Sequence, residues 1–407
     1  MISTDILLKA YRLMCAARSM ADIYELNRSI CKYVHSTSRG HEAVQLATAF
    51  QLLPCDFVSP YYRDESMLLG LGFSPFQLML QLLAKADDIF TGGRSYYSHP
   101  NYRGEGKPTI IHQSSATGMQ AIPTTGIAQG LKYIEDSDQL SLNTSEGRLP
   151  VVICSLGDAS ITEGEVSEAF QFAVLKKLPI IYLIQDNRWG ISVSARESRA
   201  MDAVEYAQGF PGLKAIRING SDFLESFETM RSVVQHVRTH RMPYVVQAMV
   251  PLLGHHTSGV RKDVYRSTQN MEKHGKYDPG PMLRKFLLES GTDEALLDGI
   301  EEEMKELVRS DFLKAVEAPE PSPKEASSYV FVPTPITLES GEREPGGSEK
   351  ILMVDAALAA IREIMEENPE ALLYGQDVGR RLGGVFREAA TLADRFGENR
   401  VFNTAIQ

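Results

Sequence analysis

Apolar residues recur at helical spacing over residues 4–28 (Ile6, Leu7, Leu8, Leu13, Met14, Met20), which predicts an opening amphipathic helix. "GHEAVQLATAFQLL", from Gly40 to Leu53, predicts a second helix, ended by Pro54. From Pro150 the pattern alternates. "PVVICSLG" is an apolar run of strand length, Glu163 to Lys176 returns to helical spacing, and "PIIYLIQ" is a second apolar run. "LKAIRING" and "PYVVQAMV" read as further strands, with a helix near Ser221 to Thr239 between them. Strands alternating with helices predict an α/β fold, a doubly wound and mostly parallel sheet with helices on both faces, preceded by N-terminal helices.

Residues 282–316 are helical and acidic, and then the composition shifts. "EAPEPSPKEASSYVFVPTPITLESGEREPGGSEK" is rich in Pro, Ser, Gly and Glu, which reads as a linker. Beyond it an Ala-rich helix ("ILMVDAALAAIREIMEENP") and a strand ("ALLYGQDVG") open a second α/β domain, too short here to close by itself. The organisation expected is therefore a first domain over 1–316, a linker over 317–349, and the start of a second domain over 350–407. No internal repeat is visible.

The formal net charge of −11 over 407 residues argues against a nucleic-acid binder, which would carry a basic stripe. The four cysteines (Cys15, Cys31, Cys55, Cys154) show neither Cys-x-x-Cys nor zinc spacing and read as small buried hydrophobes in a reducing cytosol. The N-terminus carries Asp5 early and no continuous apolar run, unlike a signal peptide, and no apolar stretch reaches the length of a membrane span. These features predict a soluble cytoplasmic protein.

The chemistry is at the strand tips. In an open parallel sheet, ligands sit beyond the carboxyl ends of the strands, where following helices point their N-terminal amides outward. Asp158 and Asn187 end two strands that read as neighbours, which puts both side chains at one exposed edge. A carboxylate and an amide oxygen form a hard-oxygen half-site suited to Mg2+, and the helix start near Thr162 to Gly164 suits a diphosphate. The geometry alone leaves an even alternative, in which Asp158 is a helix cap and Asn187 a turn former. A dinucleotide site is disfavoured because only Gly157 and Gly164 appear where a Gly-x-Gly-x-x-Gly turn would stand, and there is no Walker loop.

"GDASITEGEVSEAFQFAVLKKLPIIYLIQDNRWGIS" resembles the thiamine-diphosphate signature, in which Gly-Asp is followed by a distant Asn. With "SRGHEA" (38–43), "SPYYRDE" (59–65), "HQSSATGMQAIPTTGIAQG" (112–130) and "PLLGHHTSG" (251–259), the chain resembles the alpha subunit of 2-oxo acid dehydrogenases over roughly residues 5–280. After the linker, "YGQDVGRRLGGVFREAATLADRFGENRVFNTAIQ" resembles the opening of the beta subunit, as in a fused alpha–beta form. "GHHTSG" and "DNRWGIS" lean toward the branched-chain (2-oxoisovalerate) type, with a pyruvate or acetoin dehydrogenase component, or a non-catalytic assembly subunit, as the alternatives.

The resemblance implies thiamine diphosphate and Mg2+ as cofactors. It implies Asp158, Asn187 and the backbone carbonyl of Trp189 as metal ligands, and a cofactor-binding set of Tyr62, Arg63, Ser115, Gly118, Gly157, Asp158, Ala159, Asn187, Trp189, Ile191 and His256. Gly118 is expected to serve close backbone approach. His255 and His256 would be catalytic, with His256 preferred and its imidazole positively charged over the reacting carbon. Two places depart from many branched-chain relatives, Leu252 and Gln185 standing where those carry Arg. The partners implied are a 2-oxo acid, the lipoyl domain of an acyltransferase and a beta-like domain or chain, in a dimer or two-plus-two tetramer. In matching beta subunits the stretch like "RVFNTAIQ" runs into a Glu that contacts the cofactor's pyrimidine, so the expectation is that this chain alone is incomplete.

Overall fold

The computed structural model describes residues 2–111, 114–328, 330–331 and 349–405. The strands are β1 (Phe57–Ser59), β2 (Thr109–Ile110), β3 (Val152–Gly157), β4 (Ile180–Asp186), β5 (Trp189–Gly190), β6 (Val193–Ser194), β7 (Lys214–Asn219) and β8 (Tyr244–Met249). Six of them form one sheet in the order β2-β1-β3-β4-β8-β7, with every pairing parallel. Each residue of β4 is buried, as its unbroken apolar run requires of a central strand covered on both faces.

The helices of this part are α1 (Thr4–Leu26), α2 (Glu42–Ala49), α3 (Glu65–Gly70), α4 (Pro75–Leu82), α5 (Ala121–Glu135), α6 (Gly164–Lys176), α7 (Ala195–Ser198), α8 (Ala203–Ala207), α9 (Phe223–His240), α10 (Thr268–Gly275), α11 (Pro279–Glu289) and α12 (Glu294–Glu317). Their limits have local causes. Ser3 accepts from the Ile6 amide to start α1, and Asp222 accepts from Leu224 and Glu225 to start α9. The helix expected over 40–53 is shorter. Gly40 has φ +99° and cannot be helical, and the stretch after Ala49 tightens into turns before Pro54 is reached.

The chain divides into two compact units, residues 1–130 with 143–326, and residues 131–142 with 327–407. The second contains α13 (Met353–Glu367), a strand β9 (Leu373–Gly375), a short helix α14 (Leu392–Phe396) and a strand β10 (Val401–Asn403) that pairs in parallel with β9. Met365, Leu392 and Val401 form its small core. Much of the expected linker (332–348), His112, Gln113 and the final Ile406 and Gln407 lie outside the described residues. Of the cysteines, Cys15, Cys55 and Cys154 are buried and Cys31 is half-buried, all as free thiols. Among the described residues no helix is long and apolar enough to cross a membrane.

Candidate active site

Strands β3 and β4 are neighbours in register, Gly157 opposite Gln185, so their carboxyl ends are level and Asp158 and Asn187 reach the same edge. The expectation that Asp158 stands at an exposed tip is corrected: it is 3% accessible. Arg199, arriving from the end of α7, covers it. The guanidinium lies 3.1 Å from Asp158 Oδ2 and donates to both carboxylate oxygens of Asp186 at 2.8 Å. Two buried carboxylates thus share one cation. Burial first, and then the charge of Asp186, push the Asp158 carboxyl up to about 7 against the pull of Arg199. A further cation at this edge would relieve both.

Asn187 is also buried, its Oδ1 accepting from the Trp189 amide at 3.0 Å. Strands β5 and β6 then form a tight antiparallel hairpin with Ile191 at its turn in the left-handed region, φ +59°. That conformation is an outlier for a β-branched residue and marks a constrained loop. The Trp189 ring packs beside Tyr265 and under the Arg266 guanidinium. Among the described residues no group of three or more His, Cys, Asp or Glu could hold a metal ion. A hard cation here would use the Asp158 carboxylate, an amide oxygen and backbone carbonyls, the oxygen donors that Mg2+ accepts.

A cavity of about 340 Å³ opens over this edge. Tyr62, Arg63, Ser115, Gly157, Asp158, Ala159, Asn187, Trp189, Ile191 and His256 all line it. Arg63 is 1% accessible, yet among the described residues its guanidinium donates only to the carbonyls of Thr37 and His256, and its Nε has no acceptor. Among the described residues no carboxylate pairs with it. A buried guanidinium with an unpartnered donor, on a residue that lines the cavity, is a fitting partner for a phosphate oxygen. The start of α6 adjoins it, and no side chain caps that helix.

Two expected site residues fall elsewhere. Gly118 does not line the cavity; with φ +83°, a Cβ there would lie 2.8 Å from the Glu163 Cβ. Its close approach is to the residue that begins α6. His255 lines a separate cavity, where its Nδ1 accepts from the Lys262 amide at 3.1 Å. Of the histidine pair only His256 faces the candidate site, 6.2 Å from the Tyr62 ring. Its imidazole is neutral, contrary to the expected cation. Burial, reinforced by the adjacent Arg63, pushes it down to about 3, and among the described residues its buried Nδ1 has no partner.

The departures from the branched-chain pattern are also explained. Leu252 is buried, and Gln185 is turned beneath the sheet edge to donate to Asp64 Oδ1 at 2.6 Å and Ser155 Oγ at 2.9 Å. A cation that sequence reasoning missed, Arg199, lies at this edge. It lies in a polar loop whose spacing announces nothing. Gln185 gave the better signal, a polar side chain that ends the apolar run "PIIYLI".

The family model described as "Dehydrogenase E1 component" matches residues 11–324. The chain is similar to 2-oxoisovalerate dehydrogenase subunit alpha of Bacillus subtilis, 30% identical over 328 residues that span 79% of this chain and 94% of the relative. It is 28% identical to pyruvate dehydrogenase E1 component subunit alpha of Rickettsia bellii over 72% of this chain and 85% of that one. The mitochondrial 2-oxoisovalerate dehydrogenase subunit alpha of Caenorhabditis elegans is 27% identical over 70% of this chain and 63% of its own length.

Proposed function

The chain belongs to the dehydrogenase E1 component family of thiamine-diphosphate-dependent 2-oxo acid dehydrogenases, and from that premise we propose that it carries the diphosphate half of a branched-chain 2-oxo acid dehydrogenase site. The substrate is a 2-oxo acid with a branched side chain, and the acyl group passes to the lipoyl group of an acyltransferase. A beta-like domain or chain completes the site.

The observation that carries the reading is the convergence of Arg63, with its open Nε, on the same cavity as Asp158 and Asn187. Asp158, Asn187 and the Trp189 carbonyl would hold Mg2+. The donor set fits that ion because two buried carboxylates, Asp158 and Asp186, have only Arg199 between them. Arg63 and Tyr62 would take the diphosphate, with Ser115, Gly157, Ala159 and Ile191 as its walls. Thiamine diphosphate supplies the carbanion-stabilising chemistry when bound. His256, pushed toward the neutral form by burial and Arg63, would act there as a hydrogen-bonding group whose proton affinity rises beside an anion. Gly118 supports the site indirectly, by letting α6 start where it does, and His255 has no contact with the cavity.

Substrate choice within the family rests on the lean of the relatives, 30% identity to a 2-oxoisovalerate and 28% to a pyruvate enzyme subunit. Calorimetric titration of the chain should show thiamine diphosphate binding that requires Mg2+, and no binding of NAD. Joined to a beta-like partner, the protein should decarboxylate 3-methyl-2-oxobutanoate faster than pyruvate. Replacing His256 by Ala should spare cofactor binding and slow acyl transfer by at least about 100-fold, the scale of a general acid–base group. Metal-independent binding would remove the Mg2+ assignment, and a preference for pyruvate would move the chain to the other branch.

A further inference from the structure

The cavity explains which atoms face a cation, but not why Asn187 presents its oxygen. A carboxamide has two nearly isosteric ends, and only one can hold a metal. A chain of buried hydrogen bonds beneath the sheet edge settles the choice. It starts from a backbone group whose polarity is fixed: the Ser66 amide donates to Gln45 Oε1 at 3.2 Å. The Gln45 Nε2 must then point the other way, and it donates to the Arg63 carbonyl at 3.0 Å and to Gln185 Oε1 at 2.9 Å. Gln185 is held in the same sense from its other end, where Nε2 donates to Asp64 Oδ1 and Ser155 Oγ.

His41 comes next. Its Nδ1 lies 2.8 Å from Gln185 Oε1, an atom that only accepts, so Nδ1 carries the proton and Nε2 is left as a lone pair. Asn187 Nδ2 lies 3.4 Å from that Nε2 and donates to it. The Asn187 oxygen is thereby turned to the amide of Trp189, which like Asn187 lines the cavity. A flipped carboxamide would set oxygen against the Nε2 lone pair and nitrogen against the Trp189 N–H. Gln45, His41 and Gln185 have no solvent access, so water cannot repair the mismatch at Nε2.

We propose that His41 is a positioning residue for cation binding, its Nδ1–H tautomer orienting the Asn187 carboxamide so that oxygen faces the metal. The relay also gives Gln185 and the "SRGHEA" segment a function that involves no contact with the cofactor. The proposal rests on the reading of Asn187 as a metal ligand, and the test separates the two.

The Mg2+ requirement for thiamine diphosphate binding is measured by calorimetry in the full chain, for His41→Phe alone and combined with Asn187→Asp. Losing the imidazole should raise the half-saturating Mg2+ concentration about 10-fold or more, the usual effect of removing a partner that orients a ligand. A carboxylate offers oxygen at both ends and needs no orienting, so in the Asn187→Asp background the same change should cost no more than about twofold. Equal losses in both backgrounds would mean that His41 only fills space, and would overturn the proposal. If Asn187→Ala leaves the Mg2+ requirement unchanged, the metal reading fails instead. Gln45→Leu cuts the relay one step earlier and supplies the same comparison should His41→Phe not fold. In the wild-type chain, 15N spectra of the imidazoles should show His41 as the Nδ1–H tautomer, and finding Nε2–H would equally overturn it.

Discussion

Glu65 begins α3 with its carboxyl wholly enclosed, Oε2 accepting from the Tyr97 hydroxyl and Oε1 without a partner. Burial pushes this group up to about 8, the Tyr97 hydrogen bond opposing and Glu42 adding to the rise. The folded protein therefore holds a proton here that the unfolded chain, titrating near 4.5, has already released. Stability from this residue is full below 4.5 and is lost as pH climbs toward 8. Glu65→Gln, which copies the protonated form, should match wild type near pH 5 and melt higher at pH 8, by at least about 2 °C. Thermal melts across that range read the effect, and a pH-independent difference would count against it. None of this is visible in "SPYYRDE", because a glutamate in a sequence is expected at the surface. The same blindness hid the burial of Asp158 and the neutrality of His256. Residue types and their order were legible, whereas the enclosure that sets their charge arises only on folding.

At the scale of elements, the strand–helix–strand frame was legible, because the continuous apolar runs of β3 and β4 leave few alternatives. The passage between them was not. A 3₁₀ turn over Asp158–Thr162 intervenes before α6 begins, and the β5–β6 hairpin depends on Ile191 taking a conformation that its side chain disfavours. Such features answer to contacts from distant segments. Gly118 is one of these, since its backbone packs on Glu163 where α6 starts. Gly118→Ala should therefore do two things together. It should destabilise the fold by about 1–2 kcal/mol through the left-handed φ alone, and it should weaken thiamine diphosphate binding by displacing the uncapped end of α6. Denaturant unfolding and calorimetry measure the two effects. A loss of stability with unchanged affinity would detach α6 from the binding role.

Across the whole molecule, the two edges of the sheet do different work. At the amino edge, Asp56 accepts from the Leu53 and Val151 amides and forms a two-armed pair with Arg238 of α9 at 2.8 Å on each arm. Asp56, Val151 and Arg238 are buried. Asp56→Asn should cost about 3 kcal/mol by leaving Arg238 enclosed without its charge partner, with cofactor affinity untouched. Asp158→Ala at the carboxyl edge should abolish Mg2+-dependent binding while circular dichroism stays native. A stability loss at Asp158 as large as that at Asp56, with binding retained, would contradict this division. Arg199 adds a consequence for traffic through the site. Because it bridges the ends of β3 and β4, the two tips are tied together by the protein's own ion pairs. A cation entering here would exchange with one arm of an ion pair and would need no opening of the sheet. A pocket built this way would keep the apolar strands beneath it covered as it empties and refills.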